Sequence, residues 1–160
     1  MAYIDTNVVA PASSPDARGL STPPLPRKAI VAILEDDAEI SDSLAKVLEF
    51  LDLHMVSLPS DQNLPASLAV LRPMAVITGV EMRDQDGCHV LMEIAQHDAA
   101  LPVLMITGAD FCMAGAIDAV EEIFSLTALT KRAVLPSAGE MVEFLAEAGR
   151  AGQCLNVIPA

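Results

Sequence analysis

Ala75-Val-Ile-Thr-Gly-Val-Glu-Met-Arg-Asp-Gln-Asp-Gly87 joins an apolar run, Ala75 to Val80, to an acidic loop that closes on Asp86-Gly87. A buried strand passing into such a loop is how an open α/β sheet presents a site at its carboxyl edge. Two other runs have the same shape. Ile30-Val-Ala-Ile-Leu34 ends in Glu35-Asp36-Asp37, and Val103-Leu-Met-Ile106 ends in Thr107-Gly108. Acids and a hydroxyl therefore converge on one edge, and Thr130-Lys131 is expected to bring a cation to it.

Outward from these runs, strands and helices alternate. After the first strand, Ile40, Leu44, Val47, Leu48 and Leu51 share one helical face, with Asp37 as N-cap. His54 to Leu58 reads as a second strand, and Pro65 to Leu71 as a short helix that the proline can begin but not interrupt. Val90, Leu91 and Ile94 mark a third helix over Cys88–Gln96, and a fourth runs from near Asp110 to Glu122. A fifth strand is expected within Ile123–Leu129. Ser137-Ala-Gly-Glu140 is a capping-box pattern that opens a last helix with Met141, Phe144, Leu145 and Ala148 on one face. Five βα units predict a doubly wound, three-layer α/β/α fold with a flavodoxin-like parallel sheet of order 2-1-3-4-5.

Residues 1–27 are rich in Ala, Ser, Pro and Asp and end in Pro23-Pro24-Leu25-Pro26-Arg27, so they read as a disordered leader to a domain over residues 28–150. Residues 151–160 return to linker-like composition. The whole chain of 160 residues is long enough for one sizeable core. Its 52% hydrophobic content fits a sheet buried on both faces, and no apolar run approaches the roughly 20 residues of a membrane span. With no secretory signal and three scattered cysteines (Cys88, Cys112, Cys154), a reduced cytoplasmic protein is expected. His54, His89 and His97 lack metal-ligand spacing. The net charge of −13 argues against nucleic-acid and anionic-membrane binding, because phosphate affinity comes from Lys and Arg.

At Glu35-Asp36-Asp37, Asp86-Gly87, Thr107 and Lys131 the chain resembles the receiver domain of bacterial two-component response regulators. The resemblance implies an acidic pair, Glu35 and Asp36, that holds Mg²⁺ beside a phosphoacceptor aspartate, with Thr107 and Lys131 steadying the phosphoryl oxygens. A divalent cation and a lysine are needed because a carboxylate must approach an anionic phosphate. Counted back from Asp86-Gly87, the acceptor falls at position 79, and this chain has Gly79. The family's aromatic switch position, three before the lysine, is Ala128, and Lys131 is followed by Arg132 instead of proline.

These departures predict a degenerate receiver, not an enzyme, that acts by protein–protein contact without its own phosphorylation. The expected partners are a histidine kinase, another regulator or a fused output domain. A homodimer through the fourth helix, fifth strand and fifth helix is a further expectation, with Asp118, Glu121 and Glu122 turned toward a basic partner. No cofactor is expected beyond weak Mg²⁺ at Glu35, Asp36 and Glu81. The alternative keeps the phosphotransfer, with Glu81 or a loop aspartate (Asp84 or Asp86) accepting from a histidine kinase. Two residues beyond Gly79, Glu81 returns to the same face of the strand.

Overall fold

The computed structural model describes residues 29–59, 63–79, 86–108 and 111–151. The leader assigned to residues 1–27, most of the tail assigned to residues 151–160, and Glu81 and Asp84 lie outside them.

Five strands and five helices alternate along the chain. They are β1 (Ile30–Leu34), α1 (Ala38–Phe50), β2 (His54–Ser57), α2 (Leu64–Leu71), β3 (Ala75–Gly79), α3 (Gly87–His97), β4 (Val103–Ile106), α4 (Phe111–Ile123), β5 (Leu129–Arg132) and α5 (Ala138–Ala151). All strand pairs are parallel, and the order is β2-β1-β3-β4-β5, as expected. The central strands β1, β3 and β4 carry nearly continuous apolar runs because both faces of the sheet are covered.

Strand alternation divides the core in two. Val31, Ile33, Ala75, Ile77, Leu104 and Ile106 meet Leu44 and Leu48 of α1 and Met141, Phe144 and Leu145 of α5. Ala32, Leu34, Val76, Val103 and Met105 face Leu64 and Leu68 of α2, Val90, Leu91 and Ile94 of α3, and Ile117 of α4. The caps follow the sequence. Asp37 accepts from the N–H groups of Glu39 and Ile40, and Asn63 caps α2 through Ala66 N–H. Ser137 and Glu140 bond each other's backbone N–H in a reciprocal box.

The last strand lies later than its expected window. The fourth helix continues through Ile123, and Phe124 N–H and Leu126 N–H then bond the carbonyls of Val120 and Glu121 while Ser125 takes φ 55°. That helix end consumes the residues expected to form the strand. Lys131 therefore sits within β5, where strand parity fixes the face it occupies.

Candidate functional site

The register of the sheet assembles the carboxyl edge. Leu34 pairs with Thr78, so the next residue along β1, Glu35, stands beside Gly79; on the far side, Gly79 pairs with Ile106. Thr107 follows Ile106 and Gly108 then turns the chain at φ 68°, a left-handed conformation that suits glycine. The Thr107 hydroxyl donates to the carbonyls of Gly108 at 3.2 Å and Arg132 at 3.3 Å, and its N–H donates to Arg132 O at 2.7 Å. Thr107 thus ties β4 to β5. Beneath the edge, Thr78 is fully buried and its hydroxyl donates to Gly79 O at 3.0 Å.

Glu35 reaches over Gly79. A β-carbon placed on Gly79 would lie 2.5 Å from Glu35 Oε2 and 3.3 Å from its Cδ. Glu35 Oε1 also accepts from Asp37 N–H at 3.0 Å, which anchors the carboxylate to the β1–α1 turn. Asp36, next in the chain, is exposed.

Lys131 does not come to this pocket. It pairs with Met105, on the row of Thr78, one residue short of the row that holds Gly79 and Ile106. Odd and even rows face opposite sides of a sheet, so Lys131 lies on the α4 side. There Nζ binds Asp118 Oδ1 at 2.6 Å and Glu121 Oε1 at 2.7 Å. Those bonds, Asp118 first, hold the lysine above its ordinary pKa of 10.5 against a smaller opposing effect of burial. Asp118 and Glu121 had been expected to face a partner. Their i, i+3 spacing on a helix beside the last strand is the one sequence signal that marks them as a cradle for Lys131.

The remaining expected positions are placed as follows. Ala128, half-buried, immediately precedes β5 and lines a hollow of about 240 Å³ with Pro102, Leu129, Phe144 and Ala148. Asp86 caps α3 by accepting from His89 N–H at 2.8 Å. Among the described residues, no three acids, histidines or cysteines gather closely enough to hold a metal ion. Glu35 lies where the family's third carboxylate would begin, and Glu81, the other acid expected to hold Mg²⁺, lies outside the described residues. No helix among the described residues is long and apolar enough to cross a membrane.

Comparison with known proteins agrees with this architecture. Over 106 residues, 62% of this chain, it is 29% identical to the C4-dicarboxylate transport transcriptional regulatory protein DctD of Pseudomonas aeruginosa. The chain spans 23% of that relative's length. Among solved structures, the receiver domain of an HD domain-containing protein from Pseudomonas fluorescens superposes with a TM-score of 0.65 at 16% identity, covering 84% of this chain and 96% of that one. The apo receiver domain of nitrogen regulatory protein C gives 0.62 at 24% identity, with 78% and 97% covered. A receiver domain from Clostridium thermocellum gives 0.63 at 19% identity, with 79% and 98% covered. The response regulator receiver family model matches residues 31–133, and the chain belongs to that family of two-component signalling domains.

Proposed function

We propose that this receiver signals by protein contact and is not itself phosphorylated. The observation that carries the reading is the pair Gly79 and Glu35. The position of the family's acceptor has no side chain, and a carboxylate from the neighbouring strand stands where that side chain would begin. An incoming phosphoryl group would meet Glu35 instead of a nucleophile with open access. Lys131, which would screen the phosphoryl charge, spends its own charge on Asp118 and Glu121. Ala128 supplies no ring to carry a signal from Thr107 to the distal face.

A histidine kinase, another regulator or an attached output domain is the class of partner proposed. The contact surface, for such a partner or for a second copy, is assigned to α4, β5 and α5. Exposed Glu122 and the outer side of Asp118 keep that surface acidic, which suits a basic partner. No resident cofactor is proposed.

The test is incubation with phosphoramidate and Mg²⁺ followed by intact mass under neutral conditions. No acid-labile phosphoryl adduct is the expected result. An adduct on the parent overturns the reading. Its loss in a Glu81→Gln variant would then assign the acceptor to Glu81.

A further inference from the structure

Gly79 has an ordinary backbone. Among the described glycines only Gly108 takes a positive φ, so the chain at Gly79 does not itself require glycine. What disfavours a larger residue there is a neighbour that would have to move. The three atoms nearest to an added β-carbon are Glu35 Oε2 at 2.5 Å, Cδ at 3.3 Å and Oε1 at 3.5 Å. All three belong to one carboxylate, the far end of a flexible side chain, so an added β-carbon would have to displace Glu35 from its resting place, at modest cost. The same carboxylate is fixed from behind by Asp37 N–H.

We infer that Glu35 is an internal plug: its carboxylate takes over the place of the missing acceptor side chain and ties the β1–α1 turn to the edge of β3. The inference rests on the reading of Gly79 as an inert acceptor position and adds what holds the emptied pocket in one state. Three features fit that role. Register puts Glu35 directly beside Gly79, so the carboxylate need only bend sideways across one strand spacing. Glutamate, one methylene longer than aspartate, has the reach to cover a neighbouring Cα while still returning to its own turn. Gly79 itself is buried and Glu35 half-buried, so the carboxylate closes the edge over the sheet. The pocket then needs neither Mg²⁺ nor a phosphoryl group to be complete, since the Asp37 N–H offsets the cost of holding Glu35 there.

The plug acts by shape, which separates it from a merely acidic residue. Glu35→Gln keeps the side-chain volume and an oxygen for Asp37 N–H. Glu35→Ala removes both. Gly79→Ala should therefore be less favourable in the parent and in the Glu35→Gln background than in the Glu35→Ala background, where only the preference of a strand for alanine over glycine remains.

Urea unfolding of the parent, the single variants and the two double variants reads this coupling, with no phosphodonor present, so the outcome is independent of whether phosphorylation occurs elsewhere. The effect of Gly79→Ala on the folding constant should be roughly threefold less favourable in the parent than in Glu35→Ala, at the low end of couplings between side chains in contact. Equal effects of Gly79→Ala in both backgrounds overturn the plug, as does recovery by Glu35→Gln as complete as by Glu35→Ala. Amide exchange at Asp37 gives a second reading if Gly79→Ala fails to fold. Glu35→Ala should exchange Asp37 N–H several-fold faster than the parent and Glu35→Gln should not; unchanged protection in Glu35→Ala overturns the inference.

Discussion

Replacing Lys131 by methionine tests where its charge is used. The ammonium binds two carboxylates of α4 at 2.6 and 2.7 Å, with the lysine side chain 32% exposed, Asp118 65% and Glu121 30%. At an effective dielectric near 20, opposite charges about 4 Å apart attract by about 4 kcal/mol before other costs. Ordering the long lysine side chain costs up to about 2 kcal/mol, and exposed pairs such as that with Asp118 retain only about 0.2–1 kcal/mol. The partly shielded bond to Glu121 keeps somewhat more. Methionine preserves the apolar stem, so the substitution removes chiefly the charge, and it leaves two acids at i, i+3 on α4 repelling each other slightly. The net loss should be about 1.5 kcal/mol, a fall in Tm of roughly 5 °C for a domain of this size.

Salt and pH give that loss a signature. The gap between parent and variant should shrink as salt approaches about 1 M, where the screening length falls to about 3 Å. The folded-state pKa of Lys131 is raised above its ordinary 10.5, chiefly by the bond to Asp118. Its stabilisation is therefore fully present below pH 10.5 and is lost only as pH rises through the folded value. Urea unfolding of both proteins across salt and alkaline pH is the assay. A gap under about 0.3 kcal/mol, or one indifferent to salt, refutes a stabilising role for the Lys131 pairs with Asp118 and Glu121, since such differences lie within ordinary additivity error. A gap that appears only with a phosphodonor would return Lys131 to the pocket.

Gly79→Asp should destabilise the metal-free domain by about 2 kcal/mol, because the new carboxylate displaces Glu35 and adds like charge beside Asp36. Mg²⁺ should then bind more tightly than to the parent, and a titration showing unchanged affinity counts against the pocket assignment. Beryllofluoride with Mg²⁺ should raise the parent's Tm no further than Mg²⁺ alone, since stabilisation requires binding to the folded state; an added shift in differential scanning fluorimetry refutes this. Glu140, whose pKa is lowered mainly by the Ser137 N–H, should stabilise α5 above its ordinary 4.5 and lose that effect as pH falls through the folded value. Glu140→Gln should flatten this acid-side dependence in thermal melts, and an unaltered pH profile would show that the box contributes nothing.

The parts legible in the sequence were those fixed by local chemistry. The runs Ile30–Leu34, Ala75–Gly79 and Val103–Ile106 announced themselves because strands buried on both faces must be apolar throughout. Asp37 and the Ser137–Glu140 box announced helix starts because only such side chains satisfy the first free N–H groups. β5 had no such announcement. It is an edge strand of half-buried and exposed residues, Leu-Thr-Lys-Arg, with no apolar run to mark it. Its start at Leu129 decides which face Lys131 takes, and a shift of one residue would have sent the ammonium to the other side. The contact of Glu35 with Gly79 was equally hidden, since it depends on the pairing of Leu34 with Thr78 across strands 44 residues apart (78 − 34).

Under the proposed reading, the departures from the family pattern compensate one another. A receiver stripped of its acceptor would be left with charges whose partners, Mg²⁺ and phosphate, never arrive. Unpaired charges at a half-buried edge are costly, and a domain of ordinary stability has little margin for them. Here each has an internal partner. The Glu35 carboxylate lies over Gly79 and is held by Asp37 N–H, and the Lys131 ammonium is held by Asp118 and Glu121. Among the described residues, no buried side-chain nitrogen or oxygen is left without a hydrogen bond. In this reading the edge is complete without metal or phosphoryl group, and neither is proposed to have the differential binding energy that would shift its conformation. Any change of state must then come from a partner that competes for these internal bonds. The bond between Lys131 and Asp118 is the one most within reach, because Asp118 is the more exposed of the two acids on the α4–β5 surface assigned to partners. A basic residue arriving there would compete with Lys131 for Asp118 at small net cost, while Glu121 keeps α4 tied to β5.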